Sequence, residues 1–260
     1  MTQADPLWFR WHRRVPAPTA RLVCFPHAGG AASFFRGWPG ALPPGVEVLA
    51  VRYPGREDRI REPFIEAMAP MADAISKATA TLVGPPLAFF GHSLGASVAH
   101  EVAVRLERDL GPVLRMLFVS ARPAPHRLSR NDLHIRGDAA LIDDIRRLDR
   151  HTAHVFDDPE LRTMLLPMVR ADYRLVETYY PDHVDRVDVP IVGYSADTDP
   201  EVSVDDVAAW RDVTRGRFEL RTWSGDHFFL TPQERAVVED VGRRLLAAVP
   251  GQSGAAVARR

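Results

Sequence analysis

The stretch LAFFGHSLGASVAHEVA constrains this chain more than any other. An apolar run of strand character, Leu87 to Phe90, passes straight into Gly91-His92-Ser93-Leu94-Gly95. From there it enters a segment with helical spacing of apolar residues, Leu94 to Glu107. A strand that reverses into a helix within five residues brings backbones together where side chains have no room, and the two glycines remove the Cβ atoms that would collide. Such a turn holds the residue between them in a strained conformation. It also presents that residue at a helix N-terminus, where free N–H groups and the helix dipole favour developing negative charge. Ser93 is thereby a candidate nucleophile.

The rest of the chain supplies the frame this turn requires. Apolar runs at Arg21 to Phe25, Val46 to Val51, Val113 to Val119, Pro190 to Tyr194 and Phe218 to Trp223 join Leu87 to Phe90 as candidate strands. Between them lie amphipathic stretches at Ile65 to Leu82, Leu94 to Glu107, Val204 to Asp212 and Pro232 to Ala248. The alternation predicts an α/β fold, with a mostly parallel sheet and helices on both faces. Thr231, Pro232 and Glu234 read as a capping box that starts the last helix. Residues 127–188 break the alternation and read as an inserted helical lid of several short helices, with Pro167 interrupting one run. Met164, Leu165, Leu166 and Met168 there are core residues or line a substrate channel. A single domain is expected over residues 1–250, with a disordered polar tail at 251–260.

Composition excludes several alternatives. The formal net charge of −1 gives no global field to draw nucleic acid or an anionic membrane. The one cysteine, Cys24, cannot close an intramolecular disulfide. No apolar segment has the length of a signal-peptide core or a membrane span, so a cytoplasmic protein is expected. No HExxH, cysteine cluster, GxxxxGK[ST] or post-strand GxGxxG is present, and neither a metal nor a cofactor is implied.

A serine needs a base. In the chain order serine, acid, histidine, it is His227, in WSGDHFFL between the last strand and the last helix, that occupies the base's place. His92 reads as shaping the turn, and His126, His134, His151, His154 and His183 fall in or near the insertion as surface or packing residues. The acid is expected after Pro190 to Tyr194, where YSADTDPEVS offers Asp197 and Asp199. Pro200 favours Asp199 through a tight loop, and loop geometry leaves Asp197 open. Oxyanion donors are expected from the backbone N–H groups of Leu94, after the nucleophile, and Ala28, in the small-residue loop PHAGGAA.

Together CFPHAGGAASFFRGW, VRYPGREDR, FFGHSLGASVAHEVA, SARPAPH, LPMVRADYRLVETY, DVPIVGYSADTDPEVS and WSGDHFFL resemble the type II thioesterases, α/β-hydrolase-fold enzymes that accompany polyketide and non-ribosomal peptide synthases. The resemblance runs from about Trp8 to Leu246. It implies hydrolysis of acyl groups from the phosphopantetheine arm of acyl or peptidyl carrier proteins, releasing stalled or wrongly loaded chains. It puts Ser93, Asp199 and His227 on the triad positions and Ala28 and Leu94 on the oxyanion-hole positions, in an enzyme that can work as a monomer without nucleic acid or membrane partners. Pro54 to Arg59 reads as structural, with carrier docking as the alternative. The rival readings are a generic carboxylesterase, a medium-chain fatty-acyl carrier thioesterase and a non-catalytic carrier-binding module.

Overall fold

The computed structural model describes residues 5–149 and 153–249. Seven strands form one sheet: β1 (Phe9–Arg13), β2 (Ala20–Phe25), β3 (Val46–Val51), β4 (Leu87–His92), β5 (Leu114–Ser120), β6 (Ile191–Ala196) and β7 (Phe218–Trp223). Their order is β1-β3-β2-β4-β5-β6-β7; β1 is antiparallel to β3 and every other pairing is parallel. β1 was not among the expected strands. It is a five-residue edge strand, FRWHR, whose polar positions hide its alternation.

The helices are α1 (Met68–Ala80), α2 (Leu94–Leu110), α3 (Asp138–Leu148), α4 (Pro159–Glu177), α5 (Val204–Ala208) and α6 (Glu234–Ala247). Strand periodicity sorts the core into two layers. Val23, Leu49, Phe89 and Leu117 point to the face covered by α1 and α2, through Met71, Ile75, Val98 and Val102. Their neighbours Leu22, Val48, Phe90 and Phe118 point to the other face, packed by Val237, Val241 and Leu245 of α6 and by Trp38.

β5 and β6 pair directly, Leu117 against Ile191, so α3 and α4 are inserted between adjacent strands. They have a small apolar cluster of their own, including Leu141, Phe156, Leu166 and Val169. Pro167 does not break α4, which runs unbroken for 19 residues. Its start is fixed by Pro159 at the first position and by the Asp158 carboxylate, which accepts the N–H groups of Glu160 and Leu161 at 2.8 and 3.1 Å. Packing of its apolar face outweighs the one lost hydrogen bond. Met164 on the same helix is 56% exposed, whereas Leu166 and Met168 are buried.

The capping box expected before α6 does not form. The helix starts at Glu234, and Phe228 to Gln233 are spent in turns closed by Thr231 N–H to the Phe228 carbonyl at 2.8 Å and Gln233 N–H to the Phe229 carbonyl at 3.2 Å. The Glu234 carboxylate packs against Gly37 rather than reaching back to the cap.

The tightest constraint in the fold is where β4 turns into α2 beside the end of β2. A Cβ on Gly91 would lie 2.3 Å from the Gly95 carbonyl oxygen, and one on Gly95 would lie 2.1 Å from the Phe25 carbonyl oxygen. Both obstacles are backbone and cannot rotate away. Gly95→Ala is expected to cost about 3 kcal/mol or more in urea unfolding. Gly40→Ala, where nothing stands within 4 Å of the added atom, serves as the neutral control.

Candidate active site

Ser93 stands between β4 and α2 with φ 52° and ψ −121°, a backbone conformation that L-residues rarely adopt. Its N–H donates to the Ser120 carbonyl at the end of β5, 2.8 Å away, which ties the strained turn to the neighbouring strand. Leu94 opens α2, so its N–H has no intrahelical acceptor. Ala28 lies in the turn after β2 that is closed by Gly30 N–H to the His27 carbonyl at 3.0 Å. Neither the Ala28 nor the Leu94 amide is engaged by a protein acceptor among the described residues. Ala28, Ser93, Leu94 and His227 line one cavity of about 340 Å³.

His227 follows β7 in a turn in which Asp226 Oδ1 accepts the Phe228 N–H at 3.0 Å. Its Nδ1–H donates to Asp199 Oδ2 at 2.9 Å, with the two side chains 2% and 1% exposed. The other Asp199 oxygen accepts the N–H groups of Glu201 and Val202 at 2.9 and 3.1 Å, so the carboxylate is aimed by its own loop. Asp197, two residues earlier, is exposed and accepts the Gly225 N–H at 2.8 Å. It stitches the loop after β6 to the loop after β7, and it is Asp199 that contacts the imidazole.

Three imidazoles crowd this corner. His92 lies 5.4 Å from His227 and 6.0 Å from His27, between ring centroids. His27 packs edge-on against Phe34 and Phe228, and His92 bonds the Ser120 hydroxyl through Nδ1 at 2.9 Å. Burial, and then the nearby His227, push His27 down to about 4 and His92 well below the ordinary histidine value. Of the three, His227 alone is hydrogen-bonded to a carboxylate among the described residues. His134 is elsewhere, bonded to Glu177 at 2.6 Å, and His126 and His183 face Asp212 and Asp185 at the surface. His151 lies outside the described residues.

Two residues at the site, Arg122 and Asp172, have no role in the sequence reading, and Arg56 enters it only within the structural stretch Pro54 to Arg59. Arg122, in SARPAPH, is 8% exposed and lines the cavity; its Nε donates to Ser97 Oγ at 2.9 Å, and no carboxylate pairs with it among the described residues. Burial lowers its pKa. Arg56 of the PGRE stretch and Asp172 of α4 form a buried ion pair at 2.7 Å behind the Ala28 turn. The only sequence signal for Asp172 was a charge among apolar neighbours in LPMVRADYRLVETY, which an exposed helix face explains equally well. Arg56 and Arg59 are each 5% exposed, Arg59 being held by Glu62 at 2.5 Å and stacked on Trp8, so neither guanidinium is presented for docking.

A mostly parallel sheet that carries a strained serine at a strand-to-helix turn, with a carboxylate-bound histidine three strands beyond, has the architecture of the α/β-hydrolases. Comparison with known proteins narrows the class. The family description "Thioesterase domain" matches residues 20–245. Thioesterase PikA5 of Streptomyces venezuelae is 41% identical over 241 residues, covering 92% of this chain and 86% of that one. The type II thioesterase BorB from the borrelidin biosynthetic cluster superposes with a TM-score of 0.85 at 39% identity, over 94% of this chain and 100% of that one. RedJ, a thioesterase from the prodiginine biosynthetic pathway in Streptomyces coelicolor, superposes with a TM-score of 0.82 at 38% identity, over 88% of this chain and 86% of that one. The chain belongs to the thioesterase family.

The depressed histidines give the site a pH dependence of stability. In the unfolded chain His27 titrates near 6.5, and in the folded protein at about 4. Between those values the unfolded state binds more protons, so stability is full above about 6.5 and is lost as the pH falls toward 4. His27→Gln is expected to flatten the fall in urea-unfolding free energy between pH 7 and 4.5 by about 2 kcal/mol relative to wild type, measured as the difference between the two profiles.

Proposed function

We propose that this thioesterase hydrolyses acyl groups from the phosphopantetheine arm of acyl or peptidyl carrier proteins, clearing stalled or wrongly loaded chains from polyketide or non-ribosomal peptide synthases. The observation that carries the reading is the buried hydrogen bond from His227 to Asp199, on the same cavity that Ser93 lines. In this scheme His227 Nε2 takes the proton of Ser93 Oγ as the oxygen attacks the thioester carbonyl carbon. Asp199 stabilises the imidazolium. The Ala28 and Leu94 N–H groups receive the oxyanion, the C–S bond breaks, and the imidazolium returns its proton to the departing sulfur. Water, deprotonated by the same histidine, then cleaves the acyl-serine and frees the acid.

Leu133, Ile145, Leu148, Phe156, Leu165 and Met168 give the cavity its apolar lining. A volume of about 340 Å³ is near the lower end for ligand sites, which favours short acyl groups. Arg122 offers N–H donors to oxygen atoms of the arm or the acyl chain. Residues 127–188 serve as the lid over this space, within a single domain that extends to residue 250; the tail at 251–260 lies outside the described residues. Among the described residues no helix is long and apolar enough to cross a membrane. A monomer working in the cytoplasm on soluble synthases fits this reading.

Carrier proteins loaded with acetyl, propionyl or longer acyl groups, followed by intact-mass spectrometry, test the proposal. Wild type is expected to return the free carrier thiol, with Ser93→Ala slower by about 10⁶-fold. Turnover confined to simple esters would instead make the protein a generic esterase. The two aspartates separate in the same assay: Asp199→Asn is expected to lower kcat by about 10⁴-fold, and Asp197→Asn to keep activity close to wild type.

A further inference from the structure

The turn that carries Ala28 is held by side chains from two distant parts of the chain. Asp172 Oδ2 accepts the Gly29 N–H at 2.8 Å, and Arg56 Nη1 donates to the Gly30 carbonyl oxygen at 2.8 Å. The two side chains grip each other in parallel, Nη1 to Oδ2 at 2.8 Å and Nη2 to Oδ1 at 2.7 Å, with 6% and 3% of their surfaces exposed. On the other side of Ala28, the Tyr53 hydroxyl donates to the Pro26 carbonyl at 3.2 Å, and the Tyr53 ring lies beneath the Arg56 guanidinium.

The sequence of this turn, Ala28-Gly29-Gly30-Ala31-Ala32, has almost no side chain with which to fix itself. Gly29 adopts φ +74°, and glycine leaves that conformation freely unless something outside holds it. The carboxylate and guanidinium supply the restraint. Asp172 also shares a face of α4 with Val169, three residues earlier. Val169 packs so closely on Gly29 that a Cβ there would meet it at 3.1 Å. Leu165, Met168 and Val169 of the same helix line the cavity.

We infer that Arg56 and Asp172 are positioning residues that aim the Ala28 N–H at the oxyanion, so that this donor is in place only while α4 is docked on the turn after β2. The helix that covers the acyl group and the amide that polarises its carbonyl then engage together. The inference rests on reading Ser93 as nucleophile and Ala28 as oxyanion donor.

Three variants of the full-length protein test it: Asp172→Asn, Arg56→Met and the paired Arg56→Met/Asp172→Leu. Each is assayed for kcat and KM on acyl carrier protein, for affinity toward an acyl trifluoromethyl ketone that forms a tetrahedral adduct on serine, and for urea unfolding. Loss of a whole oxyanion donor lowers kcat by about 10²- to 10³-fold. A misaimed donor is expected to lower kcat by about 10- to 100-fold, to weaken ketone binding by a similar factor and to leave KM near wild type. The apolar pair is expected to unfold at a higher midpoint than either single variant, because it leaves no buried charge unpaired, while staying below wild type for the two backbone groups it orphans. Its kcat and ketone affinity are expected to stay low, since neither methionine nor leucine can bond the Gly29 N–H or the Gly30 carbonyl. Wild-type kcat and ketone affinity in the paired variant would overturn the inference, as would single-variant losses that vanish once activity is expressed per folded molecule. Turnover retained by Ser93→Ala would overturn the reading of the site and this inference with it; its loss there, with the clamp variants unimpaired, overturns the clamp alone.

Discussion

Ser93 is held at φ 52° because three backbones meet around it without side chains between them. Gly91 lets β4 lie against the first turn of α2, Gly95 lets α2 lie against the end of β2, and the Ser120 carbonyl takes the serine's own N–H. The parallel register then sets everything else. Phe25 is level with Gly91, His92 with Ser120, Ser120 with Tyr194 and Ala196 with Trp223. Five consecutive strand ends therefore deliver their loops to one edge of the sheet: the Ala28 turn, Ser93, Arg122, Asp199 and His227. Residues far apart in sequence become neighbours with no contact of their own having to draw them together. The cost of the strained serine is spread through hydrogen bonds the sheet makes in any case.

Two of the three crowded imidazoles are held neutral. Burial, and then the nearby His227, raise the cost of protonating His27 and His92. His27 and His92 have no hydrogen-bonded carboxylate among the described residues, and both are pushed down. Asp199 faces His227 with one oxygen and spends the other on two backbone amides, so it is oriented before any proton moves. The neutral His27 ring forms an aromatic wall of the cavity, and His92 is buried behind it. His92, bonded to Ser120, also braces the strand that receives the Ser93 amide.

How much of this was legible in the sequence follows from how local each signal is. Six of the seven strands, the turn at Ser93 and the place of His227 could be read because each depends on residues within about ten positions. β1 escaped because an edge strand buries little and so shows a weak alternation. The capping box before α6 was misread because Glu234 is used for packing against Gly37, which is distant in sequence. Pro167 was read as a break because its cost is local, whereas the packing of α4 that outweighs it is not. Pro200 favours Asp199 over Asp197 along the chain, and the fold separates them by giving Asp199 to His227 and Asp197 to the Gly225 N–H. Arg122 and Asp172 look like ordinary surface charges until the fold buries them, and Arg56 reads as structural with no sign of its distant partner.

The buried pair behind the Ala28 turn can be derived as a chain of requirements. A loop small enough to approach a substrate carbonyl must be built of glycine and alanine, and a loop so built buries backbone groups without side chains to satisfy them. The Gly29 N–H then needs an acceptor, and Asp172 on the overlying helix provides it. A buried carboxylate needs a counter-charge, and a guanidinium meets it in bidentate geometry that a lysine could not match. Arg56 still has an N–H to place, and the Gly30 carbonyl accepts it, closing the ring on the loop where it began. No member of this ring can be replaced by an apolar residue without orphaning a backbone group one step away. Stability alone does not demand an ion pair at such a site; the need to fix a loop that has no side chains of its own does.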